Sequence, residues 1–219
     1  MTNTDMASPV LAANDLSFSY QPGHHVMDGW SGSFDRGTMT AITGPSGCGK
    51  STLLFLMSLM LKPQAGQIWL GGRRVDNLPD AQRSKIRAES FGFVFQDATL
   101  NQTRTVLDNV IETALYRQVA KDDYLDRARQ LLTQFGVDLP PERKPTQVSG
   151  GQALRIALCR ALLFPTDVLF ADEPTGNLDP ATGQTVIAAL AAQAHAGTAV
   201  IIVTHSPWFA QVCDQQIQL

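Results

Sequence analysis

The chain has 219 residues, with 17 Lys+Arg against 20 Asp+Glu and a net charge of −3. This length suits one domain, or two small ones, and a sizeable buried core. Apolar residues at 44% and charged residues at 17% exclude a disordered chain. No Lys/Arg block offers the basic footprint that nucleic-acid binding needs, so no nucleic-acid partner is expected.

From the N-terminus, MTNTDMASPV lacks the basic start and apolar core of a secretory signal. Residues 10–20 and 67–70 read as strands of an antiparallel flank. Met39–Thr43, 91–95, 168–171 and 198–204 read as buried strands. Helices are expected after Lys50, after Gly151 and over 181–194. Strands alternating with helices imply a mostly parallel sheet covered on both faces. The apolar run 53–61 is far shorter than the roughly 20 residues needed to span a bilayer, so it reads as a buried helix.

The middle of the chain differs. Val106, Val110 and Ala114 recur at four-residue steps, then Leu125, Ala128, Leu132 and Phe135 at threes and fours. Thr105 can cap the first helix and Gly136 can end the second. Residues 97–160 are therefore expected to form a helical subdomain inserted into one α/β domain covering 1–219. Cys48, Cys159 and Cys213 lie far apart in no metal-ligand spacing, as expected of reduced thiols in the cytoplasm.

Two motifs carry chemistry. Gly44, Pro45, Ser46, Gly47, Cys48, Gly49, Lys50 and Ser51, followed by Thr52, fit the phosphate loop G-x-x-x-x-G-K-S/T between a strand and a helix. Its glycines let backbone N–H groups face a phosphate, and the helix start adds positive charge. Lys50 supplies a point charge for the terminal phosphates, and the Ser51 hydroxyl can ligate Mg²⁺. The apolar strand ending at Asp172-Glu173 supplies two carboxylates, Asp172 towards the metal and Glu173 as a base for water. A nucleoside triphosphate with Mg²⁺ is therefore expected, as in kinases, GTPases and motors alike; ATP as the cofactor follows only from the resemblance given below.

A second glycine-led helix start follows at Ser149, Gly150, Gly151 and Gln152. Since one nucleotide cannot easily occupy two distant helix starts in a small domain, the second is expected to serve the nucleotide of another copy. At this point the chain resembles the ATP-binding subunit of an ABC transporter over nearly its whole length. The resemblance implies a P-loop (RecA-like) core with an antiparallel β flank and a helical insert carrying the signature 149–152, with Arg155 and Arg160 matching along its helix. It also implies that Tyr20 stacks on adenine, that Gln96 touches Mg²⁺, that Asp179 communicates across an ATP-sandwich homodimer, and that His205 is the switch histidine at the γ-phosphate.

Some positions depart from the family pattern: Val148 before the signature, Ala153-Leu154 after it, Gln102, and Ser206 after His205. The segments around Gln96 and from Asp172 to Asp179 resemble the subfamily that drives macrolide export, lipoprotein release, haem efflux and cell-division signalling. The expected partner is a separate integral membrane permease docked near residues 96–105, which would place the chain on the cytoplasmic face of the plasma membrane. Its cargo is expected to be haem, an antibiotic or a lipid-linked species. With Leu219 soon after His205, neither a regulatory C-terminal domain nor a second nucleotide site is expected. A soluble ATPase of an assembly pathway and an ATP-switched cell-division regulator are the alternatives.

Overall fold

The computed structural model describes residues 9–95, 97–140, 142–176 and 178–219. Gln96, assigned above from sequence, lies outside the described residues.

Two sheets form the frame. The first is antiparallel: β1 (Leu11–Gln21), β2 (His24–Phe34), β4 (Ala65–Leu70) and β5 (Arg73–Arg74), in the order β2-β1-β4-β5. The second is parallel and combines β6 (Phe91–Val94), β7 (Val168–Asp172), β8 (Ala199–Val203), β3 (Met39–Thr43) and β9 (Gln215–Gln218), in the order β6-β7-β8-β3-β9. Helix α1 (Lys50–Met57) buries Leu53, Leu54, Leu56 and Met57 completely, in one core with residues from both sheets. It is apolar all round because it has neighbours all round.

The central strands divide their side chains between two cores with a period of two. Val168 and Phe170 of β7 join α1 and the antiparallel sheet, whereas Leu169 and Ala171 join the helical side. That helical side consists of α3 (Val106–Tyr116), α4 (Leu125–Gln134) and α5 (Gly150–Ala161), which pack on one another, together with α6 (Pro180–His195). Thr105 caps α3, its hydroxyl accepting from Asp108 N at 3.0 Å. Beyond α4 the backbone turns left-handed at Gly136 (φ 62°), and Val137 N returns to Leu132 O at 2.8 Å. The helical stretch 105–135 is thus two helices separated by a turn and a short 3₁₀ segment, Lys121–Tyr124.

Five strands and α-helices add to those read from sequence: β2, β5, β9, α2 (Asp80–Ser90) and α7 (Pro207–Gln211). The cysteines are free, and burial pushes the Cys159 thiol up to about 12.

Candidate active site

β3 ends at Thr43 and α1 begins at Lys50, and the six residues between them carry the phosphate loop. Their backbone is left-handed at Gly44 (φ 146°), Gly47 (φ 82°) and Gly49 (φ 102°). At Gly49 a Cβ would lie 2.7 Å from Met27 Cε and 2.9 Å from Val26 Cγ1, so the loop rests directly on the start of β2. Helix α1 has neither a side-chain cap nor an acidic residue in its first turn. Its positive end is thus left uncompensated by side chains, as an anion site requires. Lys50 folds back over the loop, Nζ donating to Gly44 O at 2.9 Å and Pro45 O at 2.8 Å, while Cys48 Sγ lies 3.9 Å away. Pro45, Ser46 and Gly47 are exposed. At the end of β1, Tyr20 is 61% exposed, and its hydroxyl reaches Thr52 Oγ1 at 3.3 Å, which places an open aromatic face beside α1.

Asp172 ends β7 and pairs with Val203 of β8. Burial raises its pKa, with the Glu173 charge adding to that effect, while the Ser51 hydroxyl and the Lys50 charge pull the other way. A partly desolvated carboxylate with a second carboxylate beside it and a hydroxyl against it is a hard-oxygen donor set that fits Mg²⁺. At Glu173 the backbone turns left-handed (φ 46°), and its N–H donates to Val203 O at 2.9 Å. The turn points the carboxylate at the next segment. Glu173 Oε1 accepts from His205 N at 2.8 Å and contacts His205 Nδ1 at 2.6 Å, and Thr204 Oγ1 donates to Oε2 at 3.3 Å. Thr204 is a contact that the sequence reading missed; its place before His205 was the only available signal. A cavity of about 490 Å³ opens beside this pair, lined by Glu173, Gly176, Leu178, Asp179, His205 and Trp208 among others.

The second helix start is built differently. Ser149 and Gln152 form a reciprocal capping box on α5, with Gln152 N donating to Ser149 Oγ at 3.2 Å and Ser149 N to Gln152 Oε1 at 2.9 Å. A Cβ on Gly150 would meet nothing within 4 Å, and one on Gly151 would lie 3.3 Å from Leu178 Cδ2. Among the described residues no hydrogen bond links 149–152 to the phosphate loop. Asp179 caps α6, accepting from Thr182 Oγ1 at 2.6 Å and from the amides of Thr182 and Ala181; these bonds hold its carboxyl below the usual range. Arg155 Nη1 donates to Phe135 O at 3.2 Å, tying α5 to the end of α4.

One strand, β8, separates the strand that leads into the glycine loop from the strand that ends in the carboxylates. That arrangement defines a P-loop nucleoside triphosphatase. The chain belongs to the ABC transporter family, which its residues 27–176 match, and it is an ATPase of that family. It is 38% identical over 223 residues to the lipoprotein-releasing system ATP-binding protein LolD of Bordetella avium, covering 100% of this chain and 96% of that one. It is 37% identical to the macrolide export ATP-binding/permease protein MacB of Marinobacter nauticus, where the match covers 98% of this chain but 31% of MacB. A dimeric, post-hydrolysis ATP-binding cassette bound to ADP and Pi superposes with a TM-score of 0.87 at 29% identity, covering 95% and 94% of the two chains.

Proposed function

We propose that the chain is the motor subunit of a membrane transporter, working as an ATP-sandwich homodimer on a separate permease. Two observations support the sandwich. The α1 start has no side-chain cap and the α5 start presents Gly150 with nothing within 4 Å of a Cβ there, and among the described residues no hydrogen bond joins the two starts in one chain. In this reading Gly44 to Thr52 cradle the phosphates, and Tyr20 stacks on adenine. Ser149, Gly150, Gly151 and Gln152 of one copy close over the nucleotide of the other, and Asp179 faces across the interface. Ser51, Asp172 and Gln96 would hold Mg²⁺, which when bound neutralises charge on the phosphates. Glu173 orients and deprotonates the attacking water, while His205 and Lys50 stabilise charge at the γ-phosphate.

No helix among the described residues is long and apolar enough to cross a membrane. Attachment at the cytoplasmic face through a permease therefore accords with relatives that are parts of membrane systems. A groove of about 750 Å³ between α2, β6, α3 and α5, lined by Phe93, Phe95, Thr99, Tyr116 and Phe164 among others, suits the docking of that permease. The cargo class, an amphiphile such as haem, an antibiotic or a lipid-linked species, rests on the likeness to LolD and MacB. The deciding experiment is capture of tagged Glu173→Gln chain from detergent-solubilised native membranes with Mg-ATP. A stoichiometric permease supports the reading; only soluble partners, or none, would overturn it.

A further inference from the structure

Thr204 follows β8, the strand that lies between the one leading into the phosphate loop and the one ending in the carboxylates. It is completely buried, and it bonds to both of those neighbours. Its backbone N–H donates to Ile42 O of β3 at 3.2 Å, just ahead of Gly44, and its hydroxyl donates to Glu173 Oε2 at 3.3 Å. The same hydroxyl accepts from Ser206 N at 3.1 Å. A hydroxyl has one proton and two lone pairs. With the Ser206 amide on a lone pair, the proton is left for Glu173, and without that acceptor a buried donor would go unsatisfied. The β-branched side chain is stiff at χ1, so the hydroxyl has little freedom to turn elsewhere.

The two oxygens of Glu173 are held unequally. Oε1 takes the backbone N–H and the ring of His205 at 2.8 and 2.6 Å, whereas Oε2 has the longer bond from Thr204. Held at Oε1 alone, the carboxylate could swing about that oxygen; with Thr204 its plane is set. The backbone beneath it is left-handed (φ 46°) without being glycine, a conformation that persists only where the surroundings impose it. We propose that Thr204 is a positioning residue for hydrolysis: its hydroxyl fixes the plane of the Glu173 carboxylate, and its amide ties that plane to β3 and so to the phosphate loop. Oε1 is then the anchor, and Oε2, with one long bond, keeps a lone pair for the attacking water. The inference rests on the reading of Glu173 as the base given above.

The test follows phosphate release against ATP concentration by the whole chain. Thr204→Val keeps the shape of the side chain and removes the hydroxyl. It should lower kcat by about ten- to a hundredfold, the scale expected when a reacting group is misplaced, and leave the KM for ATP unchanged. Thr204→Ser returns the hydroxyl and should recover most of the loss. In the Glu173→Gln background the residual single-turnover rate should fall no further with Thr204→Val, because residues that act as a unit do not add. A merely structural role would cut turnover by the same factor in both backgrounds, and that result would overturn the inference. So would a native kcat in Thr204→Val, or equal losses in the Val and Ser variants. If Thr204→Val does not fold, Thr204→Ala removes the same hydroxyl and is read against Thr204→Ser in the same two backgrounds. Glu173→Gln alone serves as the reference. If it keeps the native rate, the role of Glu173 fails and the inference with it. If it loses the rate while Thr204→Val keeps it, the positioning alone fails.

Discussion

Glu173 and His205 hold each other directly: the carboxylate oxygen Oε1 takes both the backbone N–H and the ring Nδ1 of His205, at 2.8 and 2.6 Å. Glu173 is nearly buried while His205 is mostly exposed. The glutamate is thereby fixed from one side, and the imidazole keeps its other nitrogen free towards solvent. Replacing Glu173 by Gln keeps an oxygen for the His205 amide and removes the base. Phosphate release should fall by about 10²–10⁴, while ATP still binds and brings two chains together. Turnover assays and size-exclusion chromatography in Mg-ATP check both halves. More than about a tenth of native turnover would contradict the role given to Glu173.

Asp172 should make the chain less stable than it could be. Burial raises its pKa, so the folded chain holds that proton more tightly than the unfolded chain does. Stability therefore falls as pH rises from the ordinary carboxylate range through the raised value, and the whole penalty is present above it. Asp172→Asn should raise the thermal midpoint at about pH 7.5, and the gap should close as the pH drops below the ordinary range. The same variant should lose the Mg²⁺-dependent gain in ATP affinity. A lowered midpoint at neutral pH would show that the carboxylate is stabilising where it stands.

At Gly49 two penalties coincide. An alanine there would have its Cβ 2.7 Å from Met27 and 2.9 Å from Val26, on a backbone at φ 102°. Overpacking and left-handed strain together amount to about 2–4 kcal/mol, or a fall of about 5–15 °C in thermal midpoint. Gly150→Ala, with nothing within 4 Å, is the contrasting variant and should leave the midpoint nearly unchanged. Differential scanning of the two, side by side, separates crowding from any general dislike of alanine.

Tyr20 offers a test of base recognition. Stacking of a base on an aromatic ring is worth about 1–3 kcal/mol, so Tyr20→Ala should weaken ATP binding by about 5- to 150-fold. Tyr20→Phe loses only the 3.3 Å contact with Thr52 and should bind nearly as well as the native chain. Equal losses in both variants would mean that the hydroxyl matters and the ring does not.

Four of the five parallel strands, β3, β6, β7 and β8, were legible because each is a largely apolar run, and such runs follow from burial on both faces. Helix α1 was legible for the same reason. β2 was not: its residues His24, His25, Asp28 and Gly29 are exposed, and two glycines interrupt its alternation. α2 buries no residue completely, so it has no apolar stripe to read, and β9 reads Gln-Gln-Ile-Gln. The phosphate loop and the carboxylates were visible because their geometry is local to a strand end. The bonds from Arg160 to Ala98 O at 3.0 Å and Thr99 O at 3.1 Å, and Val26 and Met27 beneath Gly49, depend on segments distant in the chain, and no local pattern announces them.

The alternation of β7 between the two cores reaches beyond packing. Because Val168 and Phe170 face one way and Leu169 and Ala171 the other, the strand has a single register in which both cores close. Asp172 is the next residue on that strand and Glu173 the one after, so the same register fixes where the acid groups emerge. A slip by one position would turn every side chain over and draw the carboxylates about 3.3 Å along the sheet. Such a misthreaded chain would be doubly marked, by its exposed oily faces and by its dead site. Quality control that recognises greasy surface would therefore clear inactive copies without ever inspecting catalysis.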